Sequence, residues 1–130
     1  MTEWNFGDIL DAIEPALPLD APALIHGDRQ ITWSEMAARH EPCRALVWYA
    51  AHAFDAVPEA AALVACHAKS LTGEVHRFVA RTATEVHGGM GFTDLLGLHF
   101  WFKRIGFNRQ MLGTPERLRM EAAKARGLVG

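Results

Sequence analysis

The sequence predicts an all-α fold, a partial up-and-down helical bundle that follows a short N-terminal segment with a small hairpin. Two observations lead to this prediction. From residue 42 onward, apolar residues recur at helical spacing almost without a break, whereas three prolines within residues 15–22 exclude a regular helix there. Half of the 130 residues are hydrophobic and 22% are charged, which is typical of a globular domain. We therefore divide the chain into a segment of residues 1–41 and a helical domain of residues 42–130.

The N-terminal segment carries the signals of a helix and a hairpin. Asp8 is suited to cap a first helix, since the apolar residues around it are spaced for one helical face: Phe6, Ile9, Leu10 and Ile13. Further along, residues 23–26 and 29–32 flank Gly27 and Asp28. Two short runs around such a pair predict a small β-hairpin.

A capping-box pattern follows the hairpin. Thr32 and Glu35 have the spacing at which each side chain bonds the backbone N–H of the other, so a helix is predicted to begin at Trp33. Proline lacks a backbone N–H and clashes with the preceding turn. We therefore expect Pro42 to interrupt this helix after His40.

Helices dominate the remainder of the chain. The first is predicted over residues 45–55, and the second over residues 59–86. The second carries a seam at alternating spacings of four and three, which is typical of a helix packed lengthwise in a bundle: Val64, Ala68, Leu71, Val75, Phe78 and Thr82. Gly73 lies within it and indicates a close approach of another helix.

Two further helices are predicted towards the C-terminus. The third should begin near Thr93 or Asp94, either of which can cap it. Its apolar stripe is too wide for a three-helix monomer to cover, and it indicates either core packing or an oligomer interface: Phe100, Trp101, Phe102, Ile105 and Phe107. Thr114 followed by proline predicts a polar terminal helix that ends at Gly127.

Composition excludes several functional classes. A net charge of −2 leaves no basic footprint for nucleic acid, and no apolar run approaches the roughly 20 residues of a membrane span. We therefore expect neither a nucleic-acid nor a membrane partner. The N-terminus lacks a signal-peptide pattern, and Cys43 and Cys66 lack CxxC spacing, so we expect thiols in the reducing cytoplasm. The seven histidines do not have the spacing of a metal site, and none is expected.

Residues 85–92, Glu-Val-His-Gly-Gly-Met-Gly-Phe, are the most informative stretch of the sequence. Three glycines in four positions end the long helix, since each costs about 1 kcal/mol in a helix interior. One interpretation is an ordinary helix cap and turn. The other is a loop whose bare backbone approaches an anion such as a pyrophosphate.

With its flanking helices, this loop resembles the C-terminal helical-bundle domain of flavin-dependent acyl-CoA dehydrogenases, over about residues 42–122. The resemblance implies that the loop reaches across a subunit interface to the ADP portion of a neighbour's FAD. The positions that match the family's Gln-x-x-Gly-Gly-x-Gly-Phe pattern are Glu85, Gly88, Gly89 and Gly91. Glu85 replaces the usual glutamine, and its carboxylate would repel a pyrophosphate. Leu112 stands where well-known members keep their catalytic glutamate, so we expect no catalytic residue in this chain.

Residues 4–40 resemble the extreme N-terminus of adenylate-forming acyl-CoA ligases, through Pro-Ala-Leu-Ile-His-Gly-Asp-Arg-Gln-Ile-Thr-Trp-Ser-Glu over residues 22–35. The phosphate loop and the later motifs of that family are absent from the sequence. A ligase fragment is thus one interpretation of the chain, ranked third after the two given below, and no ligase activity is expected.

Together these patterns favour a truncated or accessory chain of the acyl-CoA dehydrogenase type. It would contribute to FAD-dependent α,β-dehydrogenation of an acyl-CoA only within a larger assembly, with an acyl-CoA dehydrogenase-type subunit or a second copy as its partner. The alternative is a non-enzymatic helical oligomerisation module or a gene-fusion remnant. Whether the family's cofactor is used separates the two interpretations.

Overall fold

The computed structural model describes residue 18 and residues 20–129. The first predicted helix, with Phe6, Ile9, Leu10 and Ile13, lies outside the described residues. In chain order the elements are β1 (Pro22–His26), β2 (Arg29–Thr32), α1 (Trp33–Ala56), α2 (Pro58–His87), a short 3₁₀ helix (Gly88–Phe92), α3 (Leu98–Gln110) and α4 (Pro115–Ala125). The predicted helical fold with a small N-terminal hairpin is confirmed. The described residues divide into two compact units, one that ends at residue 38 and one that begins at residue 39.

The hairpin and the helix start that follows it form as predicted. Strands β1 and β2 pair antiparallel, with Ile25 opposite Gln30, and Gly27 takes a positive φ of 57° in the turn. The Thr32 hydroxyl accepts the N–H of Glu35 at 3.2 Å, and a Glu35 carboxylate oxygen accepts the N–H of Thr32 at 2.9 Å. This reciprocal capping box satisfies two N–H groups that have no partner within the helix.

The prediction that α1 ends after His40 is wrong. The helix continues through Pro42 and spans the 24 residues Trp33–Ala56. An interior proline costs about 3 kcal/mol because the bond to the carbonyl four residues earlier is lost. Side-chain contacts close to it favour the continuous helix: Cys43 is buried, and the Arg39 guanidinium lies 4.4 Å from the ring centre of Phe78 on α2. Such tertiary contacts routinely override local preference.

Helix α2 is the central element of the helical unit, since both α3 and α4 pack against it. Val64, Ala68 and Thr82 of the predicted seam are buried, and its other three positions are half-buried. The contacts to α3 and α4 come from another face of α2, which carries Lys69, Gly73 and Glu74. Gly73 provides the close approach that its position indicates. A Cβ there would lie 3.0 Å from Cγ of Pro115 at the start of α4.

The prediction that α3 begins at Thr93 or Asp94 is also wrong. Thr93 instead closes the 3₁₀ turn, because both its N–H and its hydroxyl donate to the Met90 carbonyl, at 3.1 and 2.8 Å. The helix begins five residues after Thr93, at Leu98, behind Gly97 with a φ of 65°. No residue of α3 is buried, so the interpretation of its aromatic residues as core is wrong.

Helix α4 follows its prediction. The Thr114 hydroxyl accepts the N–H of Arg117 at 3.3 Å, Pro115 occupies the first turn, and Gly127 takes a positive φ just after the helix ends. Among the residues the structure describes, no helix is long and apolar enough to cross a membrane.

Candidate functional site

The glycine-rich loop begins where α2 ends. Gly88 has a φ of 55°, and its N–H donates to the Glu85 carbonyl, which closes the helix. The chain then makes one 3₁₀ turn over Gly88–Phe92. Gly88 and Gly89 are exposed, and no atom would lie within 4 Å of a Cβ built at either position. Another molecule can therefore approach the backbone closely at these two residues.

Gly91 has a different environment. It is buried, and a Cβ there would lie 2.9 Å from the Thr84 carbonyl oxygen and 3.3 Å from Cβ of His87. Both contacts are with the last turns of α2. The requirement for glycine at this position follows from packing of the loop against its own helix.

Glu85 forms an ion pair on the helix surface. One of its carboxylate oxygens accepts from Nε of Arg81, one turn earlier, at 2.9 Å. Arg81 thus compensates the negative charge that would otherwise repel a pyrophosphate. Glutamate in place of glutamine at position 85 would therefore repel a pyrophosphate less strongly.

His99 orders the segment between the loop and α3. Its Nε2 lies 3.1 Å from a carboxylate oxygen of Asp94, its Nδ1 lies 3.2 Å from the Thr93 carbonyl oxygen, and its side chain is only 12% exposed. Sequence reasoning grouped it with the scattered histidines. The available signal was only an aspartate five residues earlier in the sequence.

A cleft of 370 Å³ lies between α2 and α3, beside the loop that joins α3 to α4. Leu112 is 89% exposed at its edge and has a φ of 59°, a conformation that costs a non-glycine residue about 1–2 kcal/mol. The lining contains no carboxylate: Lys69, Thr72, Gly73, His76, Ile105, Asn108, Arg109, Met111 and Leu112.

His76 lines the cleft from α2 and has a perturbed pKa. Its partial burial lowers the pKa below the ordinary histidine value, and the charge of His40, with ring centres 6.1 Å apart, adds to the shift. Sequence reasoning missed this pair, because it brings together residues from two helices that are 36 positions apart.

Arg109 joins three helices at one end of the cleft. Its Nη2 donates to a carboxylate oxygen of Glu74 on α2 at 2.9 Å and to one of Glu116 on α4 at 2.6 Å. The hydrogen bond to Glu74 is the main reason that the pKa of Arg109 is raised. The pKa of Glu116 is lowered, first by its own backbone N–H and then by the Thr114 hydroxyl. These contacts fix the wall of the cleft.

In the part of the chain that the structure describes, no three histidine, cysteine, aspartate or glutamate side chains cluster so that they could hold a metal ion. Cys43 and Cys66 are free thiols, and burial raises the pKa of Cys43.

Comparison with protein families decides the relationship. The family model "Acyl-CoA dehydrogenase, C-terminal domain" matches residues 21–126. The chain belongs to the acyl-CoA dehydrogenase family. The match begins at residue 21, so it includes the hairpin and all of α1, and the resemblance of residues 4–40 to acyl-CoA ligases stays a prediction. Neither the curated proteins nor the solved structures gave a match.

Proposed function

We propose that this chain is the helical component of an acyl-CoA dehydrogenase assembly and offers its glycine-rich loop to FAD held mainly by a partner. The partner is an acyl-CoA dehydrogenase-type subunit or a second copy of the chain. The observation that carries the proposal is the open backbone at Gly88 and Gly89, within a chain that belongs to this family.

The residues present fit the diphosphate portion of FAD. Gly88 and Gly89 leave room for close approach of the backbone, and Arg81 compensates the carboxylate of Glu85. Gly91 supports the loop from behind through its packing on Thr84. When bound, FAD supplies the hydride acceptor for α,β-dehydrogenation of an acyl-CoA thioester.

The catalytic base would come from the partner. Dehydrogenation requires a group that removes the α-proton. Leu112 has no titratable group, and the adjoining cleft has no carboxylate. We therefore expect the isolated chain to show no acyl-CoA turnover, and measurable turnover by the homogeneous chain would contradict this part of the proposal.

The test is a visible absorption spectrum of the tagged chain, purified gently from its native cell. A flavin band, together with a co-purified partner, would support the proposal. Gly89→Val should lower the ratio of flavin absorbance to protein, because the added side chain occupies the space that the cofactor needs. Gly106→Val is the matched control, since Gly106 on α3 is also exposed, with no atom near its Cβ position.

A colourless, partner-free protein would instead favour the second candidate, a non-enzymatic helical assembly module. The observation behind this alternative is the exposure of Phe100, Trp101 and Phe107 on α3. Monomeric proteins rarely expose apolar patches of that kind without a function for them. Added FAD would then leave the melting temperature unchanged, because a ligand that binds only the folded state must raise it.

A further inference from the structure

The outward face of α3 combines aromatic and basic side chains. Phe100, Trp101 and Phe107 are 62%, 66% and 61% exposed, and Lys103 and Arg104 lie among them on the exposed side of the helix. Ile105 and Arg109, on the opposite side, are half-buried against α2. The helix thus presents its rings to the surroundings, whereas an ordinary surface helix buries its apolar stripe.

The charge of this region differs from that of the rest of the chain. Residues 98–130 contain seven lysines and arginines and only two glutamates, although the whole chain has a net charge of −2. Within the described residues no carboxylate forms an ion pair with Lys103 or Arg104. The aromatic face therefore carries uncompensated positive charge.

The shape of this face limits what can cover it. The residues that line its shallow depression all belong to the single helix α3, so there is no second wall to enclose a small molecule. A symmetric contact with a second copy would bring Lys103 and Arg104 close to their own equivalents, which like-charge repulsion disfavours. A broad anionic surface with an apolar layer beneath it satisfies both the rings and the charges.

We propose that this face, formed by Phe100, Trp101, Lys103, Arg104 and Phe107, adsorbs to an anionic lipid surface. Tryptophan and phenylalanine insert at the level of the headgroups, while lysine and arginine contact the lipid phosphates. The sequence-based expectation of no membrane partner rested on the lack of a spanning segment, and adsorption needs none. This proposal does not depend on FAD binding.

Vesicle flotation tests the proposal with the full chain. We expect the chain to float with vesicles of phosphatidylcholine and phosphatidylglycerol in equal amounts, to float poorly with phosphatidylcholine alone, and to be released by high salt. Lys103→Gln with Arg104→Gln should weaken binding about 30-fold, which corresponds to about 1 kcal/mol for each basic residue near an anionic surface. Arg29→Gln with Arg77→Gln is the control, since it removes the same charge from exposed residues elsewhere.

A second variant separates the rings from the charges. Phe100→Ser with Trp101→Ser removes two exposed rings and should reduce flotation even at low salt, while circular dichroism shows an unchanged helix content. Equal binding to neutral and anionic vesicles, or binding unaffected by the Lys103 and Arg104 changes, would overturn the proposal. The proposal would also be overturned if the chain did not bind vesicles and instead formed a dimer. Dissociation of that dimer by Phe100→Ser with Trp101→Ser would show that the face joins two copies.

Discussion

Gly91→Ala is expected to destabilise the helical unit through one short contact. The new Cβ would lie 2.9 Å from the Thr84 carbonyl oxygen and 3.3 Å from the Cα of the same residue. Both are backbone atoms of α2, and neither can rotate away as a flexible side chain could. The 3₁₀ turn would therefore have to move away from the helix on which it packs.

The cost follows from the geometry. Overpacking of a well-packed site typically costs about 1–3 kcal/mol. For a unit of about 90 residues, each kcal/mol lowers the melting temperature by about 4–8 °C. We therefore expect the variant to melt at least several degrees below the parent chain.

Urea denaturation followed by circular dichroism measures the same loss of stability as a lower urea midpoint. The matched control is Gly89→Ala, because Gly89 has no atom within 4 Å of its Cβ position and does not have a positive φ. The control should unfold at the urea midpoint of the parent chain or slightly above it. If Gly91→Ala shared that midpoint, the packing explanation for Gly91 would be refuted.

Three further predictions concern stability. Thr114→Ala removes the hydroxyl that accepts the N–H of Arg117 and should lower the free energy of unfolding by about 1 kcal/mol, measured in urea; no change would mean that the cap contributes nothing. Pro42→Ala restores an N–H that can donate to the Ala38 carbonyl, and it should raise the free energy of unfolding by about 2 kcal/mol. The interior proline costs the helix about 3 kcal/mol, and its restriction of the unfolded chain offsets up to about 1 kcal/mol of that cost. An unchanged urea midpoint would show that α1 accommodates the proline without cost. Burial and the charge of His40 lower the pKa of His76 in the folded chain. Between that lowered pKa and about pH 6.5, His76 is therefore protonated in the unfolded chain but neutral in the folded chain. The stability is therefore complete above that pH and falls as the pH drops towards the lowered pKa; urea midpoints across this range should lose part of their pH dependence in His76→Gln, and an identical slope would contradict the assignment.

The features predicted correctly from the sequence are local ones. The capping box of Thr32 and Glu35 and the Thr114 cap each depend on residues three positions apart, and the structure contains the expected bonds. The closing glycine of the hairpin belongs to the same class. Such signals can be recognised in the sequence because both partners lie within a few residues of each other.

The errors arose where distant residues or a competing bond decide the outcome. The continuation of α1 through Pro42 depends on contacts such as that of Arg39 with Phe78, which are 39 positions apart. Thr93 does not cap α3, because it closes the 3₁₀ turn with Met90 and the helix begins only at Leu98. Neither feature can be read from the spacing of apolar and capping residues along the chain.

The glycine-rich loop could be located from the sequence, whereas the surroundings of its individual glycines could not. The glycines and Leu112 were located by their motif, and family membership is now shown. The separate roles of Gly88, Gly89 and Gly91 were not apparent, since the distinction depends on which of them faces the Thr84 carbonyl. His76 and Arg109 were missed for a related reason, since their partners lie on other helices.

The contact of Gly73 with Pro115 sets a length requirement on the loop that joins α3 to α4. Surface loops usually tolerate insertions and deletions. Here the buried Pro115 ring fits at the one position of α2 that lacks a side chain, where a Cβ would lie 3.0 Å from it. One residue more or fewer in the loop would displace the ring by a step along α2 and place it against a neighbouring side chain. Residues 111–114 therefore act as a spacer of fixed length.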